Sequence, residues 1–132
     1  MLVAETQEEC LRNVIDTTEL LNRLGFTVHP DKSSFIPDTK IVFLGFYIDS
    51  VTMTIELTQK RKTKILNACE FVYKNNNVTI RKLAALIGLM VSSMIAIPLG
   101  RLFYRNLERL KIKYMKIYGD WEQKITIPRE CL

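Results

Sequence analysis

Side chains able to catalyse a reaction are few and scattered in this sequence. The only histidine, His29, lies beside Pro30 in a predicted turn, which favours a solvated loop residue over a catalytic base. Two-metal phosphoryl transfer needs carboxylates that converge on the ions, and a hairpin would bring Asp49 and Glu56 near each other. An exposed pair beside a turn is ordinarily only solvated, and the five glycines form no phosphate-binding loop. The residues therefore predict no complete catalytic site and no metal site.

Basic side chains, in contrast, are concentrated in the second half of the chain. Residues 58–118 contain 13 basic and two acidic residues (net +11), whereas residues 1–57 contain four basic and nine acidic residues (net −5). Residues 119–132 add −1, which gives +5 for the whole chain. Such a segment predicts either a surface that contacts the phosphates of a polyanion or a face that is merely solvated. Most of these residues lie in three predicted helices: Lys60, Arg61, Lys62 and Lys64; Arg81 and Lys82; and Arg101, Arg105, Arg109, Lys111, Lys113 and Lys116.

The composition is that of an ordinary globular domain. Of the 132 residues, 48% are apolar and 25% are charged, which excludes disorder, collagen and low complexity. The three cysteines are widely spaced and form no CxxC motif, so they indicate core thiols in a reducing, intracellular compartment (cytoplasm or nucleus). Residues 83–100 carry no charge, but Gly88, Ser92, Ser93 and Pro98 favour a buried helix and a turn over a membrane span.

The first 57 residues predict one helix and a small sheet. Thr6 begins a capping box, and Gly25 is placed to end a helix over residues 6–24. A short strand is predicted over residues 26–28, followed by a turn over residues 29–32. Two apolar runs, residues 41–48 and 53–57, predict a β-hairpin in which Gly45 marks a bulge or a close backbone approach.

The remaining residues predict three helices. Thr58 and Thr79 are placed to cap helices over residues 59–74 and 80–96. Pro98 ends the second of these or begins a further helix that extends to Gly119. Residues 125–127 form a short strand-like segment. The predicted fold class is therefore α+β, with a helix and small antiparallel sheet followed by a three-helix segment.

Three segments resemble motifs of reverse transcriptases, in the order and spacing of that family. Residues 20–33 (LLNRLGFTVHPDKS) resemble motif D, in which a helix, a glycine–aromatic pair and a short strand lead to a lysine. Residues 43–48 (FLGFYI) resemble motif E, the primer-grip hairpin, and residues 79–88 (TIRKLAALIG) are similar to the thumb helix of retroviral and retrotransposon enzymes. Residues 32–46 and 79–88 particularly resemble DIRS-like retrotransposons, which encode a tyrosine recombinase.

The resemblance covers residues 1–119 and implies the end of a palm followed by a thumb. Residues 1–57 correspond to the C-terminal part of the palm, residues 58–119 to a thumb-like helical subdomain, and residues 120–132 to the start of a linker toward a connection or RNase H region. The family's metal-binding aspartates, including the Tyr-x-Asp-Asp turn, are expected upstream of Met1. We therefore expect no polymerase activity from this chain alone, and a magnesium requirement only in the complete polymerase.

The resemblance also implies roles for individual residues. Lys32 matches the motif D lysine, an auxiliary catalytic group that approaches the phosphates of the incoming nucleotide; the alternative is an exposed turn lysine. Leu44, Gly45 and Phe46 match the primer grip, where the glycine would let the backbone approach the terminal phosphate of the primer. The alternative at Gly45 is a hairpin bulge.

In the thumb helix of the family, one face lies in the minor groove of the template–primer duplex. Ala84, Gly88 and Ser92 are one turn apart on one face, and such small residues would leave it open to a groove. Packing of one helix on another through small residues is the alternative. The other residues predicted to bind nucleic acid are basic: Lys60, Arg61, Lys62, Lys64, Arg81 and Lys82.

The sequence therefore predicts a fragment of an RNA-directed DNA polymerase that grips an RNA/DNA template–primer duplex. Its partners would be that duplex and the remaining palm, fingers and RNase H parts of the parent polyprotein, with no membrane. Two alternatives stay open. One is a basic stand-alone nucleic-acid-binding module, and the other is a helical protein-interaction domain whose basic face meets an acidic partner.

Overall fold

In the computed structural model, which describes residues 1–75 and 77–128, the chain has the predicted α+β fold. The strands form an antiparallel three-stranded sheet of order β1-β2-β3 and a two-stranded sheet of β4 and β5. The helices are α1 (Gln7–Arg23), α2 (Gln59–Lys74), α3 (Ile80–Val91) and α4 (Gly100–Tyr118). The strands are β1 (Lys40–Phe43), β2 (Phe46–Asp49), β3 (Thr54–Leu57), β4 (Asn77–Thr79) and β5 (Lys124–Thr126).

The chain divides into two units. Unit 1 consists of Met1–Phe43 and Ile48–Thr54, and unit 2 consists of Leu44–Tyr47 and the chain from Ile55 onward. Unit 2 therefore contains α2, α3 and α4 together with the short segment at the start of β2. The core cluster described below belongs wholly to unit 2.

Helix α1 in unit 1 has the predicted caps at both ends. The Thr6 hydroxyl accepts a hydrogen bond from the Glu9 N–H (3.2 Å). At the other end Gly25 has φ +85°, and the Gly25 and Phe26 N–H groups donate to the Asn22 and Leu21 carbonyls, which is a Schellman motif. The predicted strand over residues 26–28 is wrong, because these residues join neither sheet and leave the Schellman turn as irregular backbone.

The apolar face of α1 remains open. No residue of α1 is buried, and Leu11, Val14 and Ile15 line a groove of about 640 Å³ together with Phe35. Helix α1 is therefore amphipathic, as a packed helix would be. Among the described residues of unit 1, however, no buried core lies under its apolar face.

The region predicted as one strand over residues 41–48 is two strands. Leu44 and Gly45 form a two-residue turn between β1 and β2, with φ +49° and +83°. Two successive positive φ values are characteristic of the type I′ hairpin turn, which suits the twist of antiparallel strands. Gly45 is therefore a turn residue and not a bulge inside a strand. Because apolar residues lie on both sides of the turn, hydrophobic periodicity does not reveal it.

Asp49, which the sequence paired with Glu56, is engaged in the next turn. Its Oδ1 accepts hydrogen bonds from the Val51 N–H (2.9 Å) and the Thr52 N–H (3.2 Å), and its Oδ2 lies 3.2 Å from the Lys40 ammonium. The carboxylate therefore stabilises the connection between β2 and β3.

We expect this turn to respond to acid. The Thr52 N–H holds the pKa of Asp49 below its ordinary value of 3.8, with Lys40 and Val51 acting in the same direction and partial burial opposing them. Because the pKa is lower in the folded state, the stabilisation is present above pH 3.8 and is lost as the pH falls through the lowered pKa. The Val51 and Thr52 amide shifts should titrate with a midpoint below 3.8. This transition should be absent in Asp49→Asn; a midpoint at or above 3.8 would contradict the assignment.

The core of unit 2 is built around α3. Ile80 and Leu83 are fully buried, and Leu86 and Ile87 are nearly so. The other buried members of this cluster come from α2, β4, α4 and the segment around β5: Val72, Val78, Tyr104, Leu107, Ile125 and Ile127.

The C-terminal segment takes part in this core. Strand β5 pairs antiparallel with β4, with Val78 opposite Ile125. The Ile80 N–H donates to the Gln123 carbonyl (3.1 Å), and Ile127 is only 1% exposed. The residues predicted to begin a linker at position 120 thus include a strand of unit 2.

Helix α3 ends earlier than predicted, at Val91 and not at residue 96. The Ser92 and Ser93 hydroxyls both donate to the Leu89 carbonyl (3.0 and 2.8 Å), and such local bonds compete with helical ones. A 3₁₀ turn, Met94–Ala96, follows, and α4 then ends at Gly119 (φ +66°) as predicted. Among the described residues, no helix is both long enough and apolar enough to cross a membrane.

Candidate nucleic-acid interface

The Leu44–Gly45 turn is held by Thr58, which directly precedes α2, and by Arg61 in the first turn of that helix. The Thr58 N–H donates to the Gly45 carbonyl (3.1 Å), and Arg61 Nη1 donates to the Leu44 carbonyl (2.6 Å). Phe46, which follows the turn, is buried, whereas the Leu44 side chain is 73% exposed. The turn predicted as a primer grip therefore has its carbonyls bonded within unit 2 and its leucine side chain in solvent.

Arg61 also reaches the end of α3. Its Nε donates to the Ser93 hydroxyl (3.2 Å), and its Nη2 donates to the carbonyl (2.9 Å) and the hydroxyl (2.7 Å) of Ser92. The guanidinium carbon lies 4.8 Å from the centroid of the Phe46 ring, within the range of a cation–π contact. Four of the five N–H donors of this arginine are thus used inside unit 2.

These contacts bring three predicted parts of the interface together. The turn at Leu44, the start of α2 and the end of α3 all meet at the Arg61 guanidinium. Ser93, which the sequence did not predict as a site residue, is fully buried at this junction. The signal that could have identified it is the Ser92–Ser93 pair after a long apolar segment, because a buried hydroxyl requires a hydrogen-bond partner.

Lys60, Lys62 and Lys64 occupy the first turns of α2 beside Arg61 and are exposed. In the described part of the chain, no ion pair involves them. Their charges are therefore available to an external anion, as contact with phosphates requires. A solvated face would look the same, so this arrangement permits phosphate binding without requiring it.

Arg81 and Lys82, at the start of α3, have partners within the chain. Arg81 Nε forms an ion pair with Glu122 Oε1, and the Lys82 ammonium lies 4.4 Å from the centroid of the Phe71 ring. The first N–H groups of this helix are also occupied, since Arg81 N donates to the Trp121 carbonyl and Lys82 N to the Thr79 hydroxyl. Both side chains are exposed, but each would exchange an existing partner for a phosphate.

The small residues of α3 have different surroundings. Gly88 is exposed, and a Cβ added to it would meet nothing within 4 Å among the described residues. Ala84 is half-buried, and Ser92 accepts from Arg61. The alternative of close helix–helix packing is therefore wrong at Gly88, where the helix face is open.

Helix α4 carries a basic stripe that the predicted site residues did not include. Its members are spaced by four residues on the face opposite the buried Tyr104 and Leu107, and all are exposed. At a rise of about 1.5 Å per residue, the stripe is about 18 Å long. It consists of Arg101, Arg105, Arg109 and Lys113.

Lys32, the residue predicted to assist catalysis, lies in unit 1. It is the last residue of the 3₁₀ turn Pro30–Lys32 and is exposed. The other predicted site residues all belong to unit 2. Within residues 1–75 and 77–128, no three His, Cys, Asp or Glu side chains are grouped closely enough to hold a metal ion.

Comparisons with known proteins identify no relative. No protein-family model, curated protein or solved structure matches this chain.

Proposed function

We propose that this chain is part of a reverse transcriptase and that its unit 2 binds the template–primer duplex. The observation that carries this proposal is the junction at Arg61, where the motif E-like turn meets Ser92, just after the helix whose first residues are similar to a thumb helix. The two segments are far apart in sequence, and their proximity is what a shared nucleic-acid surface requires. Lys60, Lys62 and Lys64 supply available positive charge beside the junction.

The proposal assigns contacts by chemistry. The exposed lysines of α2 contact phosphates without regard to sequence, and the open α3 face at Gly88 approaches the surface of a groove. The arginines of the α4 stripe supply further exposed positive charge on the same unit. The catalytic aspartates come from a part of the parent polyprotein outside this chain, so the chain by itself should not extend a primed RNA template in magnesium.

A substitution at Gly88 tests the groove contact. Because a Cβ at this position meets open space, Gly88→Leu should fold normally while it obstructs the face of α3. We expect binding of an RNA–DNA hybrid to weaken by about tenfold, the equivalent of about 1.4 kcal/mol, and binding of a single strand to change much less. Gly88→Ala, which adds a single methyl group, is the matched control and should bind the hybrid nearly as well as the unaltered chain.

The alternatives make different predictions for the same titrations. Equal losses for the hybrid and the single strand would favour a basic stand-alone nucleic-acid-binding module. Nucleic-acid binding without salt dependence, or no binding, would favour a protein-interaction domain with an acidic partner.

Cys10 and Cys69 are both free thiols, and the predicted thiol at Cys131 lies outside the described residues. The free thiols support the proposal of an intracellular location.

A further inference from the structure

Arg61 differs from the lysines on either side of it. Lys60 and Lys62 are exposed, whereas the Arg61 side chain is partly buried and donates to two backbone carbonyls and two hydroxyls. A run of consecutive basic residues at the start of α2 therefore contains one side chain that is directed into the protein. The sequence had assigned all of them to phosphate binding.

The geometry of these bonds requires an arginine. The planar guanidinium presents its donors in a fixed fork, so that Nη1 reaches Leu44 on one side while Nη2 and Nε reach Ser92 and Ser93 on the other. A lysine at this position would place a single ammonium group at the end of a flexible chain. Such a group cannot hold the turn and the end of α3 at the same time.

The Leu44–Gly45 turn packs closely against the Arg61 side chain. A Cβ on Gly45 would lie 2.9 Å from Arg61 Nη1 and 3.2 Å from its Cδ, so the glycine allows the guanidinium to approach. Leu44 has a positive φ (+49°), an uncommon conformation for a residue with a side chain, and its carbonyl is the group that Arg61 holds. The same bonds leave the Leu44 side chain projecting into solvent.

We infer that Arg61 is a positioning residue: it fixes the Leu44–Gly45 turn to the end of α3 so that the turn is presented to nucleic acid, and it does not itself contact phosphate. This inference rests on the proposed function of unit 2. It assigns phosphate contact to Lys60, Lys62 and Lys64, and it assigns to Arg61 the geometry of the surface between them and the turn.

The experiment compares Arg61→Lys with Lys60→Gln in the full chain. Arg61→Lys keeps the charge but removes the fork. The probe is an RNA–DNA hybrid of about 20 base pairs with a recessed primer 3′ end, titrated at several salt concentrations. A lysine binds phosphate well as a point charge, so direct phosphate contact by Arg61 predicts nearly unchanged affinity for Arg61→Lys. Positioning predicts a loss of about tenfold with an unchanged salt slope, whereas Lys60→Gln should reduce the slope by about 0.9.

Amide hydrogen exchange separates positioning from general stability. The Thr58 N–H donates to the Gly45 carbonyl, so its exchange reports on the turn, whereas the Leu83 N–H reports on the core of α3. Arg61→Lys should speed exchange at Thr58 and leave Leu83 unchanged; faster exchange at both would indicate a merely structural role and overturn the inference.

Two further results would also overturn it: hybrid affinity within about twofold of the unaltered chain, or a salt slope reduced as in Lys60→Gln. If the unaltered chain binds no hybrid, the proposed function fails and the presentation of the turn to nucleic acid fails with it. The exchange at Thr58 would still decide whether Arg61 holds the turn, so the two failures are distinguishable.

Discussion

Replacing Gly45 with alanine is expected to destabilise unit 2 by about 3 kcal/mol, from left-handed backbone strain of about 1–2 kcal/mol and the loss of a charged hydrogen bond. The strain arises because Gly45 has φ +83°, which side chains with a Cβ rarely adopt. The lost bond is that from Arg61 to Leu44, since the new methyl group would stand 2.9 Å from Arg61 Nη1. Thermal or urea unfolding of the variant measures the effect.

Gly119→Ala is the matched control for the strain. Gly119 also has a positive φ (+66°) in unit 2, but a Cβ there meets nothing within 4 Å among the described residues, so its cost should be about 1 kcal/mol. In an Arg61→Ala background, Gly45→Ala should lose its additional cost, because the clash partner is gone. Equal costs for the two glycine substitutions, or additive costs with Arg61→Ala, would contradict the assigned contact.

Truncating Ile127 to alanine is expected to destabilise unit 2 by about 3 kcal/mol, within the range measured for buried isoleucine side chains. Ile127 is only 1% exposed and belongs to the core that Ile80 and Leu83 form in α3. A residue in a solvated linker would tolerate the same change with little effect. The measurement is the free energy of unfolding, with Ile117→Ala as control, because Ile117 is the same residue type in α4 and is 59% exposed.

The control should change stability by less than about 0.5 kcal/mol, as surface substitutions usually do. If Ile127→Ala were as mild as Ile117→Ala, residues after position 123 would not belong to the core of unit 2. A large loss for Ile127→Ala would show that a chain shortened to end before β5 would lack part of the core of unit 2.

Local signals predicted the elements well where short-range hydrogen bonds define them. Thr6, Gly25 and Thr79 cap helices as their residue types predict, and α2 has the predicted bounds. The prediction was wrong where a local choice interrupts an apolar run. The turn at Leu44 and Gly45 splits one apolar segment into two strands, and the hydroxyls of Ser92 and Ser93 end α3 early.

The role of Arg61 could not be predicted from its type and its neighbours. Its partners lie 17 residues before it and 31 or 32 residues after it, at positions that carry no sign of a shared contact. A basic residue between two lysines looks like part of one charged surface. In the folded chain Arg61 differs from the two lysines, because only an arginine can donate to a buried hydroxyl and two carbonyls at once.

At Gly88 the sequence left two interpretations open. Among the described residues, the free space around this position excludes close packing of another helix.

The basic segment of the chain, residues 58–118, lies entirely in unit 2. The basic residues of the second half belong to the unit that has a buried core, so their side chains project from a fixed scaffold. Some have partners, as Arg81 has in Glu122 and Lys74 has in Glu70. Lys60, Lys62 and Lys64 of α2 and the stripe on α4 are exposed and form no ion pair among the described residues, and they are the groups on which salt-dependent binding would depend.

Titration of an RNA–DNA hybrid with the unaltered chain over a range of salt concentrations measures directly whether unit 2 binds a duplex through its phosphates. If three or more lysines and arginines of unit 2 contact phosphates, the logarithm of the binding constant should fall with the logarithm of salt concentration with a slope of about −3 or steeper. The hybrid should also bind more tightly than either of its strands. Absence of binding at low salt, or a slope near zero, would contradict duplex binding by the basic residues of unit 2.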